Sequence, residues 1–147
     1  MPSNDATHEL VRRIHASPER AVISVTGGGS LAISRLLCVP GASQTVLEAR
    51  VPYSAAALCD WLGLMPEQAC SSATARAMAM AGYRRAEFLA RRERERPESR
   101  GTAVFASHPS PPAPLPQGER GDGAFPVVGL GLTASLASDR PKRGAHR

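Results

Sequence analysis

Aromatic residues are scarce in this chain, one Trp, two Tyr and three Phe, or 4% of 147 residues. So thin a supply excludes recognition of single-stranded nucleic acid by stacking bases on aromatic platforms. No apolar run approaches the roughly 20 residues that a bilayer span needs, which excludes an integral helical membrane protein. Residues 1–16 lack the continuous apolar stretch of a secretory signal, because His8, Glu9, Arg12 and Arg13 interrupt it. Cysteine is limited to Cys38, Cys59 and Cys70, an odd number without metal-ligand spacing. They read as small core residues in a reducing compartment, and imply a cytoplasmic location. Lysine is limited to Lys142, and no His/Cys/Asp cluster suggests a metal site.

What remains is an ordinary globular composition, 42% hydrophobic and 21% charged, in a chain of 15.5 kDa that makes one domain at most. The net charge is +5, but it is not spread over a structured face. Residues 84–100 hold seven Arg against four Glu, and 139–147 hold Arg140, Lys142, Arg143 and Arg147 against Asp139. The rest of the chain is close to neutral. Basicity confined to two peripheral segments fits a solvated helix end better than a nucleic-acid footprint.

The periodicity predicts helix over 6–17, with Leu10, Val11 and Ile14 on one face and Thr7 as N-cap. Residues 21–26 form a β-branched run ending in Gly27, Gly28 and Gly29, a strand followed by a glycine turn. A helix from Ser30 to Val39 follows, stopped by Pro40 and Gly41. A second strand over 44–52 alternates Val46, Glu48 and Arg50 against Leu47, Ala49 and Val51. Tyr53 and Ser54 lead into a helix from Ala55 to Leu62, capped by Gly63. From Ser71 or Ser72 a long helix runs towards Pro97, with Ala75, Met78, Ala79, Gly82 and Ala86 as a face of mostly small residues suited to close packing on a sheet. Residues 97–124 change character, with six Pro and four Gly and few large apolar side chains. Such a segment buries too little to offset its ordering entropy and reads as disordered. Residues 125–133 resume as a third strand. Three strands flanked by helices leave apolar surface and strand edges uncovered, so the domain reads as incomplete.

Three short motifs carry chemistry. The first, Ser24-Val-Thr-Gly-Gly-Gly-Ser30, places backbone amides and a helix N-terminus where an anion can sit, or is a plain strand-to-helix turn. It is neither GxGxxG nor a P-loop. The second, Val39-Pro-Gly-Ala-Ser43, offers Ser43 as an exposed nucleophilic hydroxyl or, more plainly, a strand cap. The third, Val51-Pro-Tyr-Ser54, offers a phenol and a capping serine. No Ser/His/Asp triad follows from spacing.

The order and spacing of these motifs, followed by Leu62-Gly63 and by Ser71, Ala75, Met78 and Ala79, resemble the C-terminal domain of the CinA family. That family includes the nicotinamide mononucleotide deamidases (nicotinamide-nucleotide amidohydrolases). The resemblance spans residues 7–90 and resumes at 125–138. It implies an α/β fold with three α/β/α layers, here incomplete at the C-terminus. It divides the chain into a first part of the domain at 6–96, an insert at 97–124, and a strand with a basic loop at 125–147. The implied reaction hydrolyses the carboxamide of nicotinamide mononucleotide and releases ammonia, a step of pyridine-nucleotide salvage in NAD metabolism. By resemblance Ser43 and Tyr53 stand in the catalytic positions, and Ser24, Thr26, Gly27, Gly28 and Thr133 in the substrate-binding ones. No cofactor and no metal are implied. The partner would be a small nucleotide, with no specific nucleic acid and no membrane, and homo-oligomerisation stays open. The family's lysine falls on Leu58 and its asparagine on Ala55. Thr133-Ala-Ser-Leu-Ala-Ser138 replaces the family's glycine-containing final turn. Leu58 cannot act as a base. The alternative expectation is therefore a non-catalytic nucleotide-binding module or an inactive remnant of such a domain.

Overall fold

The computed structural model describes residues 4–95 and 125–135. The chain runs α1 (Asn4–His15), β1 (Arg20–Gly27), α2 (Ser30–Leu37), α3 (Ala42–Thr45), β2 (Val46–Arg50), α4 (Ala55–Leu62), α5 (Ser72–Arg94) and β3 (Val127–Ala134). The three strands form one parallel sheet in the order β2-β1-β3. This is a mixed α/β fold in which the first strand lies between the other two. The segment expected to be disordered, 97–124, and the basic end, 139–147, lie outside the described residues.

β1 is central because its sequence is apolar on both faces. Ala21, Ile23 and Val25 form a buried cluster, with Ile33 and Leu36 of α2 and Val46 of β2 packed against it. Val22 and Ser24 point the other way, under α5, where the Ser24 hydroxyl reaches Met78 O at 3.4 Å. Met78, Val22 and Val25 are fully buried. On that side α5 lies almost backbone to backbone on β3. A Cβ on Gly131 would fall 2.5 Å from Ala79 N and 2.8 Å from Met78 Cβ, and one on Gly129 2.8 Å from the Gly82 carbonyl carbon. The small-residue face expected of the long helix is the face it uses, and the two glycines of β3 are its complement.

Local signals account for most boundaries. Ser54 accepts from Ala57 N at 3.1 Å at the start of α4, and Gly63 closes it at φ +72°. Ser71 accepts from Thr74 N at 3.1 Å at the start of α5. Elsewhere the structure departs from expectation. α1 begins at Asn4, so Thr7 lies inside the helix rather than at its cap. A four-residue helix, α3, takes the beginning of the expected second strand. Register slips between Ala21 and Val22, so Ala21 pairs with Val46 and Val22 with Glu48. This bulge leaves Val46 in the apolar cluster while Glu48 turns towards α5 and pairs with Arg85 at 2.7 Å. A regular alternation would have sent all three of Val46, Glu48 and Arg50 to one face, putting a carboxylate and a guanidinium among valines and isoleucines. The cysteines are also not core residues, since Cys38 and Cys70 are exposed and Cys59 is half-buried.

No helix among the described residues is long and apolar enough to cross a membrane.

Candidate functional site

Parallel strands deliver their carboxyl ends, and the loops that follow, to one edge of the sheet. β1 arrives there at Thr26 and Gly27, β3 at Thr133 and Ala134, and β2 through Pro52 and Tyr53. The chain moves from β1 to β2 on one side and then to β3 on the other. The seam between β1 and β3 is therefore the point where strand order reverses, the place where open parallel sheets hold ligands. A cavity of about 250 Å³ opens at this seam, lined by Thr26, Gly27, Tyr53, Ala69, Cys70 and Ala134. Drug-sized ligands occupy pockets of roughly 300–1,000 Å³, so this one has room for a ring or a sugar rather than for a whole dinucleotide.

The floor of the cavity is rigid for a backbone reason. Gly27 turns at φ +77°, and a Cβ there would run into the Ala134 carbonyl. Gly28 N donates to the same carbonyl at 3.3 Å. A side chain at Gly27 would thus force β1 and β3 apart, in addition to the strain of a positive φ. The Thr26 hydroxyl, 6% exposed as a residue, donates to Pro52 O at 2.9 Å. That bond ties the end of β1 to the segment carrying Tyr53, which is itself 67% exposed. Gly29 then caps α2 at φ +106° without a side-chain hydrogen bond. The lining carries no charged side chain among the described residues. It is suited to an uncharged ring or sugar held by backbone groups, the Thr26 oxygen lone pairs, the Tyr53 phenol and the Cys70 thiol.

Of the residues singled out from sequence, Thr26, Gly27 and Tyr53 line this cavity, Gly28 adjoins it, and Thr133 is the register partner of Thr26. Ser24 lies two residues below. It is 0% exposed, and its hydroxyl is engaged by Met78 O and by Leu130 O at 3.3 Å, so it ties the sheet to α5. Ser43 lies at the other end of the sheet. It sits in α3 just ahead of Val46, which pairs with Ala21, whereas the cavity begins five residues further along β1 at Thr26. At roughly 3.3 Å per residue that separates the two sites by about 17 Å. Ser43 O accepts from Arg20 Nη2 at 3.5 Å, within a cluster where Arg20 also pairs with Glu93 and stacks over Phe125 at 4.5 Å. Ser43 and Tyr53 are not brought together, so neither serves the other as base or orienting group.

At the Ser43 end the buried imidazole of His15 is occupied. Its Nε2 donates to Leu36 O at 2.9 Å, and Nδ1 meets the Thr45 hydroxyl at 3.1 Å, which fastens α1 to α2 and α3. Leu58 is 2% exposed and fills the core under α4. No group of three or more His, Cys, Asp or Glu that could hold a metal occurs among the described residues. Sequence reasoning missed Ala69, Cys70 and Ala134. The usable signal for Cys70 is its place in the helix-to-helix connection between α4 and α5, directly ahead of the cap Ser71 that starts the long helix packed on the sheet. Comparisons with protein-family models, curated proteins and solved structures find no match to this chain.

Proposed function

We propose that this chain is a CinA-like domain, related to the nicotinamide-nucleotide amidohydrolases and layered α/β/α like them. On this reading it binds part of a small nucleotide, of the nicotinamide mononucleotide type, at the β1/β3 seam without hydrolysing it. The observation that carries this reading is the cavity itself, at the strand-order reversal and bounded by the glycine turn, Thr26 and Tyr53. Hydrolysis is not part of the reading, because Ser43 stands at the opposite end of the sheet and Leu58 takes the place of the family's lysine. A carboxamide in the cavity would meet no serine with a base beside it.

The test is thermal unfolding with nicotinamide mononucleotide, run beside an assay for ammonia. Ligand at a hundred times its Kd stabilises a one-site protein by about 2.7 kcal/mol. The expected result is a concentration-dependent rise in Tm that Tyr53→Ala reduces and Ser43→Ala leaves intact, with no ammonia released. A flat Tm at all ligand concentrations overturns the binding reading. Ammonia release that Ser43→Ala abolishes overturns the non-catalytic one and restores the amidohydrolase.

A further inference from the structure

The two edges of the sheet are treated differently by the sequence. The β2 edge is short, bulged and charged, with Glu48 and Arg50 in its five residues. These are the devices that keep a strand edge from pairing with another chain. The β3 edge has none of them. Val127–Ala134 is eight residues long, uncharged and free of proline, and no strand among the described residues pairs with its outer side. The face turned away from α5 is also open, with Leu130 43% and Leu132 40% exposed beside the buried Ile23 and Val25.

The occupant of this edge follows from the strand itself. Val128-Gly129-Leu130-Gly131-Leu132 reads nearly the same in both directions. Its backbone parity agrees with that symmetry. Pro126 O and Ala134 O accept from β1 at Arg20 N and Gly28 N, so the even-numbered residues of β3 turn their groups inward. The odd-numbered ones, Val127, Gly129, Gly131 and Thr133, therefore turn theirs out.

We propose that β3 is a homodimer interface, in which two copies pair antiparallel across a twofold axis through Leu130 and make one six-stranded sheet. Gly129 then exchanges hydrogen bonds with the partner's Gly131, and Val127 with the partner's Thr133, about eight bonds in all. Leu130 meets its own copy at a non-hydrogen-bonded position, and Val128 meets the partner's Leu132, joining the two open faces into one apolar stripe. The α5 helices fit the same axis. Each lies over the β1/β3 seam, where Gly82 approaches both Val22 O and Gly129 Cα. Two such helices would be separated by about 10 Å, the ordinary packing distance. Their facing flanks carry Met80 and Tyr83, 53% and 38% exposed.

The full chain is weighed by multi-angle light scattering over a dilution series. The expected mass is twice 15.5 kDa, falling towards the monomer on dilution. Leu130→Lys places two ammonium groups across the axis and is expected to give a monomer with an unchanged helical spectrum. Because that variant risks unfolding, a second measurement uses Leu130→Cys in a chain whose Cys38, Cys59 and Cys70 are alanine. Facing Cα atoms at about 4.5 Å in such a pair allow a disulfide, so mild oxidation should cross-link it into a covalent dimer. Thr133→Cys, which faces Val127 of the copy, should not cross-link. A monomeric wild type at every concentration, open-ended aggregates, a dimer untouched by a folded Leu130→Lys variant, or equal cross-linking of the two cysteine variants would each overturn the proposal.

Discussion

Gly131→Ala should be among the most damaging single-methyl changes this protein can suffer. Nothing in its backbone conformation demands glycine, so the whole effect is steric. The added Cβ would lie 2.5 Å from Ala79 N and 2.8 Å from Met78 Cβ, where ordinary contact begins near 3.4 Å. The obstruction is helix backbone rather than a side chain that can swing aside. α5 would have to lift by about 1 Å along its contact with β3, and a gap of that size forfeits a quarter to a half of each lost dispersion contact. The result belongs at the upper end of overpacking costs, about 3 kcal/mol. Against a total stability of roughly 5–15 kcal/mol this lowers Tm by about 15 °C for a domain near 100 residues. Urea unfolding followed by circular dichroism measures it. Gly63→Ala is the control, since its Cβ meets open space and only the positive φ of 72° opposes it, a cost of about 1 kcal/mol. If Gly131→Ala loses less than Gly63→Ala, the backbone-to-backbone seat of α5 on β3 is wrong.

Two further predictions rest on side-chain clusters. Burial pushes the Glu48 carboxyl up, but hydrogen bonds and charge from Arg50 and Arg85 outweigh it and hold the group below its ordinary value of 4.5. A depressed folded pKa gives stability that is present above the unfolded value and lost as pH falls through the folded one. Glu48→Gln should therefore cost about 1–2 kcal/mol at neutral pH, with the gap to wild type closing in acid; a gap that persists unchanged in acid would refute the pairing. His15→Ala removes two hydrogen bonds that hold α1 against α2 and α3, and should cost about 2–4 kcal/mol in chemical denaturation. Equal stability of variant and wild type would mean that these helices are held by something other than the imidazole.

The elements legible in the sequence are those whose determinants are local. Ser54 and Gly63 mark both ends of α4 by their own capping chemistry, and the Ala75/Ala79/Gly82 face of α5 announces a close seat before any sheet is known. What the sequence does not reveal is set by partners distant along the chain. The bulge in β2 exists because Val46 must join Ala21 and Ile23 while Glu48 must reach Arg85, and neither requirement is visible in residues 44–52 alone. The cavity was half legible. By resemblance the glycine turn and Tyr53 belong to one site, but Cys70 and Ala134 join it only through the sheet, and Ser43 leaves it for the same reason. A motif brings its residues to one place only when strand direction does, and Ser43 precedes its strand whereas Tyr53 follows it.

The bond from the Thr26 hydroxyl to Pro52 O has a kinetic corollary. With the backbone beside Tyr53 already anchored, a molecule bound there on the proposed reading would freeze the phenol's own torsions on that side of the cavity, an entropic toll of about 0.5–1.5 kcal/mol. Capture on the Tyr53 side would then not wait for that segment to settle.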